Sequence, residues 1–87
     1  MFEPDQAYRC SPRIALRPEP FGALAYDFGN RRLSFLKTKT LVEVVRRLGD
    51  QPDVHTTLDV AGVPDDERGS YLKALAGLAD AGTIERR

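Results

Sequence analysis

Cysteine, histidine and tryptophan are almost missing from this 87-residue chain, which has one Cys, one His and no Trp. The lone thiol, Cys10, excludes an internal disulfide and any cysteine-built metal cluster, and fits a reducing, cytoplasmic setting. His55 has no cysteine near it in sequence. A solitary histidine at a helix start serves a surface or capping role more readily than it serves as a base. Net charge is missing too: thirteen Lys/Arg offset thirteen Asp/Glu, so no uniform positive field exists to hold nucleic acid by its phosphates. No apolar run approaches the roughly 20 residues of a membrane span. The N-terminal segment Met1–Gln6 lacks the basic and apolar regions of a secretory signal, so a soluble, intracellular protein is expected.

Chemistry-bearing motifs are equally scarce. No Gly-rich phosphate loop or dinucleotide fingerprint is present; the glycines fall at predicted turns and helix ends, apart from Gly69 and Gly77. Asp65, Asp66 and Glu67 lack the alternating ligand spacing of a calcium loop. Favourable charge at a helix N-terminus accounts for them. Cys10 has no activating base or helix N-terminus beside it. The sequence therefore assigns no catalytic residue, no metal ligand and no cofactor, and the chain is expected not to be an enzyme.

What the chain does contain is a compact alternation of strand and turn signals followed by helices. Eighty-seven residues form one small domain that buries roughly 60–65% of its unfolded surface and can enclose no large cavity. Residues 1–12 carry Pro4 and Pro12 and read as an irregular arm ahead of a single domain over 13–87. A first strand is predicted over Arg13–Arg17, ended by Pro18 and Pro20, which cannot donate to a ladder. Phe21–Phe28 and Arg31–Leu36 give the second and third strands, joined over Gly29-Asn30 as a two-residue hairpin turn. In the third strand Leu33 and Phe35 share one face with Arg31, and Arg32, Ser34 and Leu36 share the other.

Three helices are predicted after the strands. Thr40 and Glu43 have capping-box spacing. Leu41, Val44, Val45 and Leu48 then form an apolar stripe that Gly49 closes, giving a helix over 40–48. A second helix covers roughly 54–61 and ends at Gly62. A third begins at Pro64, carries Tyr71, Leu72, Leu75, Leu78 and Ala79 on its apolar face, and ends at Gly82, leaving Thr83–Glu85 as a short extended tail. The class is α+β. The tight Gly62-Val63-Pro64 link gives the last two helices a helix-turn-helix look. Charge divides unevenly: residues 1–40 sum to +3 and residues 41–87 to −3.

Two surfaces are candidates for function. As the recognition helix of a DNA-binding regulator, the last helix offers Arg68 and Lys73 but also Asp66, Glu67 and Asp80, and it holds no Asn or Gln, so phosphate is repelled as much as attracted. The third strand has only helices after it, leaving an edge whose free backbone groups either need guarding or capture another chain. Arg31 and Arg32 suit a guarded edge, and Leu33 and Phe35 suit a core. The same edge also suits dimerisation.

The segments Arg17-Pro-Glu-Pro-Phe-Gly-Ala-Leu-Ala-Tyr26 and Asp27-Phe-Gly-Asn-Arg-Arg-Leu-Ser-Phe-Leu36, with the helix start at Thr40-Leu-Val-Glu43, resemble the mycofactocin-biosynthesis peptide chaperones. These are PqqD-like recognition elements for ribosomally made, modified peptides. The resemblance spans nearly the whole chain and is weakest over residues 1–10. It implies a winged-helix-like domain, with a three-stranded antiparallel sheet packed on three helices and no catalytic activity. It implies binding of the leader region of a precursor peptide, which is then presented to a radical S-adenosylmethionine maturase. The peptide is expected to add as a strand along Arg31, Arg32, Leu33, Ser34, Phe35 and Leu36, beside a groove on the last helix. Tyr71, Leu72, Leu75 and Ala79 are its candidate residues, one subset serving the core and another the peptide, and the sequence leaves open which face is the groove. Arg31, Arg32 and Lys37 are expected to favour an acidic leader. Iron–sulfur clusters and S-adenosylmethionine are expected to belong to the partner, since this chain lacks the cysteines to hold a cluster.

Overall fold

Alternation along the middle strand decides the centre of the fold. The computed structural model describes residues 1–87. The element order is β1 (Tyr8–Cys10), β2 (Ile14–Pro18), β3 (Ala23–Asp27), β4 (Leu33–Leu36), α1 (Lys39–Arg47), α2 (Val54–Val60), α3 (Arg68–Asp80) and β5 (Ile84–Arg86). β2, β3 and β4 form an antiparallel meander with β3 central, as expected for an α+β chain. Ala23, Ala25 and Asp27 of β3 are buried, whereas Leu24 and Tyr26 point to the other face of the sheet. In β4 it is Leu36 that enters the core, fully buried, while Leu33 and Phe35 stand 57% and 59% exposed. The core reading of Leu33 and Phe35 is thereby excluded.

The hairpin between β3 and β4 is not the two-residue Gly29-Asn30 turn that the sequence suggests. Phe28–Arg32 form a wider loop, and the one residue there with positive φ is Arg31, at 63°. Its amide donates to the Asp27 carbonyl at 2.7 Å, and Asp27 donates back to the Arg32 carbonyl at 2.9 Å. The Asp27 carboxylate organises the loop by accepting from the Gly29 amide at 2.7 Å and the Asn30 amide at 3.3 Å. Aspartate capping of its own downstream amides replaces the glycine-dependent turn. Arg31 and Arg32 therefore belong to the loop, and the strand begins at Leu33. Burial alone pushes the Asp27 carboxyl up. The Gly29 amide, the Arg13 guanidinium and the Asn30 amide together outweigh that and hold it below the usual carboxylate range.

Residues 1–12, read from sequence as an irregular arm, contain a strand. β1 pairs antiparallel with β5, placing Tyr8 opposite Arg86 and Cys10 opposite Ile84. Tyr8 is buried, and the Pro4 carbonyl accepts from the first amides of α2, Val54 at 3.0 Å and His55 at 3.3 Å. Arg13 links the two sheets, reaching the Asp27 carboxylate at 3.4 Å and lying 3.9 Å from that of Glu85.

Helix boundaries follow caps more than apolar periodicity. α1 is capped by Thr38, whose hydroxyl accepts from the Leu41 amide at 3.0 Å, so the expected Thr40–Glu43 capping box does not form. Glu43 instead pairs with Arg47 one turn on, at 2.7 Å. Gly49 is no stop either: the chain continues through a 3-10 turn at Leu48–Asp50. Asp53 caps α2 through the Thr56 amide at 2.7 Å. Gly62 and Gly82 do end α2 and α3 as expected, at φ of 77° and 79°. In each case the residue after the glycine donates back five positions, Val63 to Leu58 and Thr83 to Leu78. The core joins Leu36, Leu41, Val44, Val45, Leu48, Val54, Leu58, Leu75 and Ile84 between the meander and the helices.

One close approach fixes where β4 ends. A Cβ on Gly22 would lie 2.1 Å from the Leu36 carbonyl oxygen and 3.0 Å from that of Thr38. Both are backbone atoms that cannot swing aside. Replacing Gly22 by Ala is therefore expected to destabilise the fold by about 1–3 kcal/mol in urea denaturation. Leu36→Ala is expected to cost about 2–5 kcal/mol, and Phe35→Ala well under half of that because its ring is already wet. Acid titration tests the hairpin separately. Because Asp27 titrates lower in the fold, its stabilisation is complete above the ordinary value of 3.8 and is lost as pH falls through the folded value. The wild type is expected to outlast Asp27→Asn at pH 7, with the gap closing toward pH 2.

Candidate functional site

β4 has a hydrogen-bonded neighbour on one side only. The register sets which of its backbone groups are spoken for. Asp27 and Arg32 form a hydrogen-bonded pair, so strict alternation makes Ala25–Ser34 and Ala23–Leu36 bonded pairs as well. The N–H and C=O of Leu33 and Phe35 then point away from β3, toward the open edge. An extended chain laid there finds two donors and two acceptors at the spacing of a strand.

A groove of about 480 Å³ runs beside that edge. One wall is Phe35, Lys37 and Thr38; the other is Glu67, just before α3, continued by a single stripe of α3 made of Ser70, Tyr71, Ala74, Gly77 and Leu78. Those positions recur at three- and four-residue steps, the spacing of one helix face. Leu41 of α1 and Leu78 form the floor and are nearly buried. The Thr38 and Tyr71 hydroxyls meet at 3.3 Å across the groove. Small side chains on α3 keep it open: a Cβ added at Gly77 would meet nothing within 4 Å.

Of the expected groove residues, Tyr71 lines it and three others do not. Leu75 is wholly buried in the core, and Leu72 and Ala79 pack against the core from the side. The groove face lies instead on the small residues Ser70, Ala74 and Gly77, which a search for apolar side chains passes over. Gly77 was the signal available: a glycine in mid-helix costs stability and asks for a reason. Charge is graded along the groove, from Lys37 at the β4 end to Glu67 at the start of α3. Lys37 has no carboxylate partner.

The other reactive groups stay apart from this groove. Cys10 is half-buried in β1, where burial pushes its thiol up; Arg46 opposes that and Glu85 adds to it. His55 is exposed at the start of α2. No three His, Cys, Asp or Glu side chains gather where they could hold a metal ion. Arg68, a candidate for contact with DNA, is committed to the Asp59 carboxylate and the His55 carbonyl.

A protein-family model described as the peptide chaperone MftB family matches residues 7–85. The chain belongs to the MftB peptide chaperone family. It is 51% identical over 83 residues to the peptide chaperone MftB of Mycolicibacterium smegmatis, covering 95% of this chain and 81% of that protein. It is 54% identical over 78 residues to that of Mycobacterium ulcerans, covering 90% and 72% respectively. With the Mycobacterium tuberculosis protein the identity is 48% over 86 residues, covering 99% and 79%. No solved structure matches. Membership makes the role that of a non-catalytic peptide chaperone, and the matched span takes in both the strand edge and the groove. No helix is long and apolar enough to cross a membrane.

Proposed function

We propose that this chaperone binds the leader region of a ribosomally made precursor peptide as a fourth strand on β4 and presents it to a radical S-adenosylmethionine maturase of mycofactocin biosynthesis, in the cytoplasm. The observation that carries the reading is an open strand edge lying directly beside a groove that small α3 residues keep unfilled. The meander followed by three helices also suits the winged helix-turn-helix architecture that the resemblance implies.

The energetics call for both parts. Leu33 and Phe35 offer four outward backbone groups, and each hydrogen bond is worth a net ~0.5–1.5 kcal/mol. Ordering an extended peptide costs about 1–2 kcal/mol per residue in backbone entropy alone. Backbone pairing therefore sets direction and register without giving affinity by itself. Alternate side chains of the added strand enter the groove, where each well-buried apolar side chain adds ~1.5–3 kcal/mol. Lys37 favours a leader carboxylate at the β4 end of the groove, and Glu67 a cation or an N–H donor at the other. A DNA-binding role gains nothing from this geometry: an acidic 3-10 turn of Asp65, Asp66 and Glu67 stands directly before α3, and Arg68 is already engaged.

Titration of a fluorescent synthetic leader tests the proposal. Phe35→Pro removes an outward-facing amide without touching a bond to β3. It is expected to weaken leader binding at least tenfold while circular dichroism and the melting temperature stay close to wild type. Gly77→Leu is expected to fold normally and to weaken binding comparably by filling the groove. Wild-type affinity in both variants would falsify strand addition at this edge.

A further inference from the structure

The groove beside β4 changes character along its length. β4 and α3 run in opposite directions, as two hydroxyl contacts show. Ser34 meets Thr83, three residues past the end of α3, at 3.3 Å. Thr38, just past β4, meets Tyr71 in the first turn of α3, also at 3.3 Å. Phe35 therefore lies across from Ala74 and Gly77, and that part of the groove is apolar. Lys37 and Thr38 lie across from Ser70 and Tyr71, and that part is polar. A strand laid along the edge passes the two parts in turn.

The polar part is rich in donors. The Thr38 oxygen already accepts from the Leu41 amide at 3.0 Å. Its contact with Tyr71 uses one of the two hydroxyl hydrogens, whichever group donates, and leaves the other for a ligand. Ser70, exposed on the facing wall, adds a third hydroxyl. Lys37 adds an ammonium that no carboxylate of the chain occupies. The side chain that accepts from an ammonium and a hydroxyl at once is a carboxylate. Glu67 lines the same groove and repels a second one.

We infer that the groove selects its leader through two side chains two residues apart: a carboxylate held by Lys37 with the Thr38 and Tyr71 hydroxyls, then an apolar side chain seated by Phe35, Ala74 and Gly77. The inference rests on the function proposed above and names the residues that set its specificity. The order follows from strand direction. Every strand pair in the domain is antiparallel, and antiparallel pairing is slightly the more stable per residue, so the leader runs against β4. A leader residue opposite Leu36 points to the same side as Leu36 and enters the apolar part. Ala74 and Gly77 leave room there for a large side chain. The groove-facing residue before it lies opposite Thr38 and reaches the polar part. The residue between them turns to the outer face of the sheet and is free to vary. The preferred segment is therefore Asp or Glu, any residue, then a large aliphatic or aromatic residue.

A fluorescent synthetic leader, substituted one position at a time and titrated against the full chain, tests the inference. One acidic position is expected to lose roughly tenfold or more in affinity on replacement by lysine. The position two residues after it is expected to lose as much on replacement by aspartate. Lys37→Glu is expected to reverse the first preference, so that the lysine-substituted leader binds more tightly than the unmodified one. Tyr71→Phe is expected to keep the melting temperature while narrowing the preference for the acidic leader over its uncharged amide counterpart, a ratio that lost packing does not move. An equal cost of the lysine substitution in wild type and in Lys37→Glu would overturn the inference, as would an acidic position that follows the apolar one. If Phe35→Pro and Gly77→Leu weaken binding but the charge reversal fails, the inference alone is lost. If both of those variants bind leader as wild type does, strand addition is lost as well.

Discussion

Everything useful on this domain depends on the register between β3 and β4. Side chains alternate across a strand, so a slip of one residue would turn Leu36 and Ser34 outward and carry Leu33 and Phe35 into the core. The register is held at both ends of a strand only four residues long. At the loop end, the Asp27 carboxylate gathers the amides of Gly29 and Asn30 and pairs with Arg13. At the other end, Gly22 lies so close to the Leu36 carbonyl that no side chain fits between them. In the middle, the Ser34 and Thr83 hydroxyls meet at 3.3 Å, tying the strand to the residue before β5.

Once the register is fixed, β4 sends three kinds of group in three directions. Its Leu36 side chain anchors the strand in the core, and its Leu33 side chain joins the outer face. The backbone of Leu33 and Phe35 faces the open edge. The anchor is what makes the exposure tolerable. A fully buried leucine side chain stabilises by roughly 1.5–3 kcal/mol, which offsets leaving two large apolar residues wet. Short length also limits the hazard of an open edge, since four residues give little template for uncontrolled pairing.

Much of this was legible in the sequence, and the misses share a physical cause. The strand–strand–strand–helix–helix–helix order, the stops at Gly62 and Gly82 and the lack of a catalytic constellation all come from local pattern. β1 escaped because its partner is about 75 residues away, and a three-residue strand carries too little periodicity to announce itself. Thr40 and Thr38 both precede the same apolar stripe, and the geometry of the strand–helix junction chose Thr38. Gly29-Asn30 looked like the turn because glycine tolerates positive φ, yet the Asp27 carboxylate built a wider loop and put Arg31 in that conformation. The groove face of α3 was missed for a subtler reason. Core positions declare themselves by apolar bulk, whereas a groove declares itself by the lack of bulk, as at Ser70, Ala74 and Gly77.

A strand added to β4 would extend the sheet, and its alternate side chains would join the outer face beside Leu33 and Phe35. On the proposed function, a leader fixed there reaches the maturase as an ordered strand rather than a loose chain. Linkage makes the effect reciprocal: if leader tightens the hold on the enzyme, the enzyme tightens the hold on leader by the same factor. Peptide ordering contributes in the same direction, because a leader already fixed as a strand presents its outward side chains to the enzyme at no further entropic cost. An open edge that orders its peptide can in this way favour the loaded state over the empty one.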